Sequence, residues 1–186
     1  MKKITAILLI SLCLCFILAG CGGEESNAID DFCSKLKESN SYKMTFSMGA
    51  LNLVTEYDGN KTHSSQFLFT PETYTEKVGD DVFEYTEDSD GKWVKEKRTE
   101  NNPNRNEMLN EVFSDLFDGD NYNKTGDNTY KQKKDADFGD YENVVITIDG
   151  TELTMNLTIN TNGTSVNVSL LISDVNSTTV TLPNVD

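Results

Sequence analysis

Histidine is nearly missing from this chain of 186 residues, since His63 is the only one. A histidine-based metal cluster or a Ser-His-Asp triad would have to use it. It lies within residues 61–65, a predicted strand that follows the turn Asp58-Gly59, so we interpret His63 as a strand surface residue. The chain also has no Gly-rich phosphate loop, no G-x-S-x-G and no H-E-x-x-H motif. These absences predict that the protein is not an enzyme.

Positive charge is also scarce. The sequence has 16 Lys and Arg residues against 31 Asp and Glu residues, a formal net charge of −15. Such a surface repels nucleic-acid phosphates and anionic lipid headgroups, so we predict no nucleic-acid partner. Acidic clusters at 87–91, 118–123 and 135–140 lack the oxygen ligands of a calcium loop and are interpreted as turns. We predict no metal and no cofactor, with weak calcium binding by these turns as the alternative.

The first 21 residues have the features of a secretory signal. Two lysines precede an apolar run over residues 4–18, which is shorter than a membrane span of about 20 residues. The run ends in Leu18-Ala19-Gly20-Cys21, which resembles the lipobox of bacterial lipoproteins. This resemblance implies that Cys21 receives a diacylglyceryl group and that palmitate-type chains anchor the protein to the extracytoplasmic face of the cell membrane. The alternative is an ordinary signal peptide, cut after Gly20, that leaves a free cysteine.

The chain is predicted to have three parts: a signal peptide over 1–20, a flexible tether over 21–26, and a single domain over 27–186. Because the signal carries two lysines and no acid, its removal leaves a net charge of −17. Removal also takes two of the four cysteines, so with Cys21 lipidated only Cys33 remains and no intramolecular disulfide is available. We interpret Cys33 as a small buried hydrophobe.

Hydrophobic periodicity predicts a helix followed by many strands. Apolar residues at helical spacing predict a helix from about Asn27 to Ser39, capped by Ser26. A phase change at Gly49 predicts a bulge or a tight turn. Strands are predicted over 42–48, 51–57, 61–69, 74–78, 82–87, 92–97, 129–133, 143–148, 152–159, 165–173 and 178–182.

A second amphipathic helix is predicted from about Asn104 to Phe117, after the start signal Asn102-Pro103 and before Gly119. Nearly every other connection is a hairpin. The predicted fold class is therefore α+β and mainly β: a curved antiparallel meander of about ten or eleven strands. It would form a half-open barrel that covers one or two amphipathic helices.

This order of elements resembles the half-open barrels of the LolA and LppX type of envelope proteins. The region from Tyr74 to Trp93 and the ending over 172–183 carry the resemblance. Gly22 stands where some inner-membrane lipoproteins have Asp, and the Lys-Lys start and the polar domain resemble Gram-positive surface lipoproteins. The resemblance implies an apolar cavity between sheet and helices, and several members carry lipids. We expect the cavity to be lined by Met44, Phe46, Phe67, Tyr85, Trp93, Met108, Phe113, Phe117, Met155 and Leu157.

The predicted function is that of a non-catalytic, lipid-anchored protein that binds an apolar or lipid-like ligand in this cavity. A packed core without a cavity is the alternative interpretation of the same residues. A second alternative is a structural or protein-interaction module of the cell envelope that uses the polar sheet face. The least favoured is a hydrolase of envelope polymers that acts through two acids. It stays open as an alternative because a catalytic carboxylate pair is defined by spatial distance and not by sequence.

Overall fold

The computed structural model describes residues 27–66, 70–98, 116–161 and 163–185. This part of the chain is mainly β. It contains helix α1 (Ala28–Glu38) and one short 3₁₀ turn (Gly119–Asn121). The strands are β1 Ser41–Met48, β2 Leu51–Asp58, β3 Lys61–Gln66, β4 Thr70–Val78, β5 Asp81–Glu87, β6 Trp93–Lys97, β7 Tyr122–Lys124, β8 Thr129–Gln132, β9 Tyr141–Asp149, β10 Glu152–Thr161 and β11 Thr164–Ser173.

All eleven strands form one open antiparallel sheet, in the order β6-β5-β4-β3-β2-β1-β11-β10-β9-β8-β7. One meander runs outward from β1 to the edge strand β6. The other runs from the edge strand β7 back to β11. The two meanders meet where β1 pairs with β11, from Lys43 opposite Ser173 to Met48 opposite Val168. The prediction of a mainly β fold with one antiparallel sheet of ten or eleven strands is confirmed.

Helix α1 begins one residue later than predicted. Asn27 is its N-cap, and its side-chain oxygen accepts a hydrogen bond from the Ile29 N–H at 3.2 Å. The prediction that Ser26 caps the helix is therefore wrong, because Asn27 already satisfies one of the free amides of the first turn. Two acids in the first turn and two lysines in the last turn suit the helix dipole.

A tight turn at Gly49 explains the phase change in the first two strands. Gly49 has a φ of +60°, a conformation that glycine adopts without steric cost, and it lies in the turn between β1 and β2. The strands on either side pair in register, from Ser41 opposite Asp58 to Met48 opposite Leu51. The two strands therefore carry their apolar residues on the same face of the sheet despite their opposite parity.

The C-terminal segment is not a strand, which corrects the prediction for residues 178–182. Val180 is buried, and its N–H donates to the Asp58 side chain at 3.0 Å. Strand β1 is already paired on both sides, with β2 and β11, so the segment finds no free edge at the centre of the sheet. The short edge strand β7 was not predicted, because two of its three residues are polar.

The predicted second helix lies largely outside the described residues, since only its last two positions, Leu116 and Phe117, are described. They form a turn, and both side chains are buried. The predicted strand over 61–69 is described as far as Gln66.

The apolar core lies on the sheet face that contacts α1, which we call the helix face. Ile29, Phe32 and Leu36 of α1 pack there in one cluster with buried residues from β1, β2 and β7–β11. The sheet residues of this cluster are Tyr42, Tyr57, Tyr122, Tyr130, Val144, Ile146, Leu153, Met155, Leu157, Val168, Leu170 and Ile172. Burial of each large apolar side chain contributes about 1.5–3 kcal/mol, so this cluster is the main stabilising region. The opposite surface is called the open face.

Candidate functional site on the open face

The residues predicted to line an apolar cavity are distributed over both faces of the sheet. Three of them are buried in the helix-face core: Phe117, Met155 and Leu157. Two more, Met44 and Phe46, are half-buried and pack against that core. Strand register places Tyr85 and Trp93 on the open face, so these two do not line the same space as the others. Cys21, Phe67, Met108 and Phe113 lie outside the described residues.

Strands β3–β6 carry their aromatic residues on the open face. His63 of β3 lies opposite Tyr74 of β4, Tyr74 opposite Tyr85 of β5, and Tyr85 opposite Lys95 of β6. Trp93 lies two residues before Lys95 on the same face. With the three acids Glu56, Glu72 and Glu76, these residues form a surface that we call the histidine–aromatic patch.

The patch is organised around His63, whose side chain is 15% exposed. Its Nδ1 lies 2.7 Å from Glu56 Oε2, and its Nε2 lies 2.6 Å from Glu72 Oε1. The ring stacks on Tyr74 with the centroids 4.4 Å apart and an interplanar angle of 17°. The Tyr74 hydroxyl donates to Glu72 at 3.0 Å. One histidine thus links β2, β3 and β4 through side chains.

Both ring nitrogens of His63 lie within hydrogen-bond distance of a carboxylate. An ionised carboxylate only accepts hydrogen bonds, and a neutral imidazole has one donor nitrogen. A neutral ring therefore donates a hydrogen bond to one of the two carboxylates, Glu56 or Glu72. Hydrogen bonds to a carboxylate are charge-assisted, and these are shorter and stronger than bonds between neutral groups.

This arrangement shifts the pKa values of Glu56 and Tyr74. The hydrogen bond from His63 holds the pKa of Glu56 below its ordinary value of 4.5, against the opposing effect of burial. Lys43, 3.4 Å from the Glu56 carboxylate, adds to the lowering. Burial, followed by the hydrogen bond to Glu72, raises the pKa of the Tyr74 hydroxyl. Near neutral pH Glu56 is ionised and Tyr74 keeps its proton, as their hydrogen bonds require.

The outer part of the patch combines an aromatic layer with an ion pair. Tyr85 is only 4% exposed, and its hydroxyl donates to Glu76 at 2.9 Å. The Lys95 ammonium lies 3.2 Å from the same carboxylate. It also lies 4.5 Å from the centroid of the Phe83 ring and 5.0 Å from that of Tyr85, within cation–π distance. Trp93 meets the Tyr74 ring edge-on, with the centroids 5.3 Å apart.

A second feature of the open face is an open groove of about 500 Å³ across β1, β11, β10 and the start of β9. We call it the neutral groove, because no charged residue lines it. Its lining residues are Ser47, Gly49, Asn143, Asn156, Leu157, Thr158, Asn167, Val168 and Ser169. Ser47, Ser169 and Asn156 form one cross-strand row, and Asn167 and Thr158 form the next.

A β-bulge lies beside this groove. The register between β9 and β10 shifts between Asn156 and Thr158, and Asn143 of β9 has a φ of +56° there. Asparagine tolerates the left-handed conformation better than most residues. A bulge bends its strand and redirects side chains, so the exposed Asn143 side chain joins the groove.

The thiol of Cys33 and the carboxylates of Asp88 and Asp118 have structural roles. Burial, followed by the nearby charge of Asp30, raises the pKa of the Cys33 thiol to about 11, so this half-buried cysteine is a weak nucleophile. The Asp88 carboxylate accepts hydrogen bonds from the backbone of its own turn, and so does that of Asp118. Among the described residues, no group of three or more His, Cys, Asp or Glu side chains is arranged to hold a metal ion.

Sequence reasoning missed both features of the open face. It placed His63 on a strand surface, but the carboxylates that flank the ring come from neighbouring strands and are recognisable only from the register. The alternating Asn, Thr and Ser residues of β10 and β11 are visible in the sequence. Their combination into a groove depends on the bulge, which no residue pattern predicted.

None of the helices described in the structure is long and apolar enough to cross a membrane. No protein-family model matches the chain. No curated protein is similar to it in sequence.

Proposed function

We propose that this protein is a lipid-anchored, extracytoplasmic protein that is not an enzyme and binds a component of the cell envelope through the open face of its sheet. The observation that carries the proposal is the contrast between the two faces. The helix face is filled by a packed apolar core, whereas the open face carries the histidine–aromatic patch and the neutral groove. This favours the polar sheet face over the apolar cavity as the binding surface.

The anchor is supported by the sequence Leu18-Ala19-Gly20-Cys21, and the membrane is the partner that it implies. Five residues lie between Cys21 and the helix cap Asn27. An extended chain spans at most about 3.3–3.6 Å per residue, so the start of α1 would stay within about 20 Å of Cys21. A lipid on Cys21 would thus hold the domain close to the membrane surface.

We also propose that the sheet curls around α1 as a half-open barrel of the LolA and LppX type. A sheet of eleven strands is at the size at which open sheets curl or split. Half-buried Met44, Phe46 and Met48, beside the core on the central strand β1, favour a second candidate function, the binding of an apolar ligand. A lipid that copurifies with the protein in stoichiometric amount would support this second function over the first.

The anchor is tested by Cys21→Ser. We expect the variant to leave the membrane fraction and to lose the mass of the acyl groups. Continued membrane association would contradict the lipid anchor.

Envelope binding is tested by sedimentation of the full-length protein with cell envelopes stripped of membrane. Tyr74→Ala and Trp93→Ala alter the open face, and Thr75→Ala and Val94→Ala alter the helix face of the same two strands. We expect only the first pair to reduce the sedimented fraction. Equal sedimentation of all four variants would contradict binding through the open face.

A further inference from the structure

We propose that the neutral groove is a binding site for a segment of an uncharged glycan. This inference rests on the proposed function, in which the open face is the binding surface, and it adds the chemical class of the ligand.

The hydrogen-bonding groups of the groove suit sugar hydroxyls. Three exposed amides, those of Asn143, Asn156 and Asn167, combine with hydroxyl side chains. An amide side chain and a hydroxyl each donate and accept hydrogen bonds, and a sugar hydroxyl does both as well. The exposed amides of Asn143 and Asn156 are accessible to a ligand. Two other groove side chains already make hydrogen bonds: Ser47 donates to Asn52 at 3.0 Å, and Thr158 donates to the Asn167 amide oxygen at 3.3 Å.

The lack of charge in the groove is unusual for this protein. The whole chain has a net charge of −15, but none of the nine residues that line the groove is charged. The negative charge of the chain repels an anionic polymer, and no carboxylate is among the lining residues, although Glu142 lies opposite Thr158 at the margin of the groove. A neutral, hydroxyl-rich ligand is therefore the best match.

A polypeptide is a poorer match, because peptides often bind sheets by pairing with an exposed strand edge. The groove lies in the middle of the sheet, where β10 pairs with β9 and β11, and β11 also pairs with β1. Apart from the bulge at Asn143, the backbone groups there are paired within the sheet, so the groove offers a ligand mainly side chains.

The shape of the groove supports a small ligand segment. Its volume of about 500 Å³ lies within the range of about 300–1,000 Å³ that is common for small-molecule sites. Leu157 and Val168 are buried toward the helix face and help to line the groove from beneath. The bulge at Asn143 adds a third amide that a regular strand would not supply in this position.

The test is calorimetric titration of the full-length protein, kept in a detergent without a sugar headgroup. The neutral probes are hexasaccharides of α1,4-glucose, β1,4-glucose and β1,4-N-acetylglucosamine. Hexagalacturonic acid is the anionic probe, and a neutral hexapeptide of Ser, Thr and Asn is the peptide probe. We expect at least one neutral hexasaccharide to bind and the anionic and peptide probes to bind more weakly.

Groove variants locate the binding. Asn156→Leu and Asn167→Leu each remove a donor and an acceptor, and we expect about tenfold weaker binding, the loss of about 1.4 kcal/mol. Asn123→Leu, on the edge strand β7 and outside the groove, is the matched control and should bind as the unchanged protein does. Ser169→Ala is a smaller change that tests the same site if a leucine variant folds poorly, which circular dichroism would reveal.

Three results would overturn the inference: no binding of any neutral hexasaccharide at millimolar concentration, binding that the groove variants do not weaken, or preferential binding of the peptide or the anionic probe. The titration contains no envelope and does not depend on the anchor. Its failure can therefore be distinguished from failure of the sedimentation and Cys21→Ser experiments that test the proposed function.

Discussion

The inner strands β8–β11 and the outer strands β3–β6 belong to one sheet, but their largest side chains lie on opposite faces. In β9 and β10, Ile146, Leu153 and Met155 are buried on the helix face. In β4 and β5, Tyr74 and Tyr85 lie on the open face, and threonines occupy the helix face. The inner strands are covered by α1 and need an apolar face toward it. The outer strands bury their aromatic rings among ion pairs and neighbouring strands.

This difference teaches that alternation alone does not identify the buried side of a strand. Two residues of the predicted cavity, Tyr85 and Trp93, have the same two-residue period as the inner core residues but belong to another cluster. The two regions should therefore differ in stability, in pH dependence and in the way that they unfold.

The largest expected effect is in the inner core. Ile146 is 0% exposed, and Ile146→Ala should lower the free energy of unfolding of the domain by about 3 kcal/mol, because it removes apolar contacts and leaves a cavity. Urea denaturation followed by circular dichroism measures this loss. Val94→Ala, on the edge strand β6, is the control and should cost less than about 1 kcal/mol. Equal losses would show that the two regions do not differ.

Tyr85→Ala tests whether the outer strands open independently. It removes a buried ring, the hydrogen bond to Glu76 and a cation–π partner of Lys95. We expect a local loss of about 2 kcal/mol, seen as faster amide hydrogen exchange in β4–β6 while β9–β11 keep their protection. A uniform increase in exchange across the sheet would instead show that both regions unfold as one unit.

Glu56→Gln tests the electrostatic part of the patch. The pKa of Glu56 is lowered in the folded protein, so its stabilisation is present above the ordinary value of 4.5 and is lost as pH falls through the folded value. The variant should be less stable than the unchanged protein by about 1 kcal/mol near pH 5.5. Chemical denaturation at several pH values should show this difference shrinking below about pH 4.5. A difference that stays constant to about pH 3 would contradict the role of the carboxylate.

Cys33 gives the smallest expected effect and tests the inner region without altering its packing. Because the pKa of its thiol is raised to about 11, only about one thiol in a thousand is ionised at pH 8. In a Cys21→Ser background, iodoacetamide should modify Cys33 slowly in the folded protein and rapidly in guanidinium chloride. Rapid modification of the folded protein, measured by mass spectrometry, would show that the face covered by α1 opens readily.

Much of the fold could be predicted because its signals are local. The helical spacing of Ile29, Phe32 and Leu36 predicted α1, and turn residues such as Asp58-Gly59 predicted the hairpins. The predictions failed where long-range contacts decide. Residues 178–182 have a strand-like pattern but find no free edge, and β7 has a weak pattern but pairs with β8.

The candidate site was much less accessible to prediction than the fold. The carboxylates that flank His63 belong to Glu56 of β2 and Glu72 of β4, which are seven and nine residues away from it in sequence. Only the strand register brings the three side chains together. The neutral groove depends on a bulge whose position is set by the pairing of β9 with β10. Neither the His63 cluster nor the neutral groove can be recognised from the residues of a single segment of the chain.

The sequence by itself determined that this protein is an acidic, mainly β chain with a short amphipathic helix and many hairpins. Charge is a sum over residues, and periodicity and turn preference act over a few neighbours. The tertiary structure decided which face of each strand is buried, which side chains flank His63, and where the groove lies. These properties follow from the pairing of β1 with β11 and from the single face that α1 covers, both of which depend on contacts between distant segments.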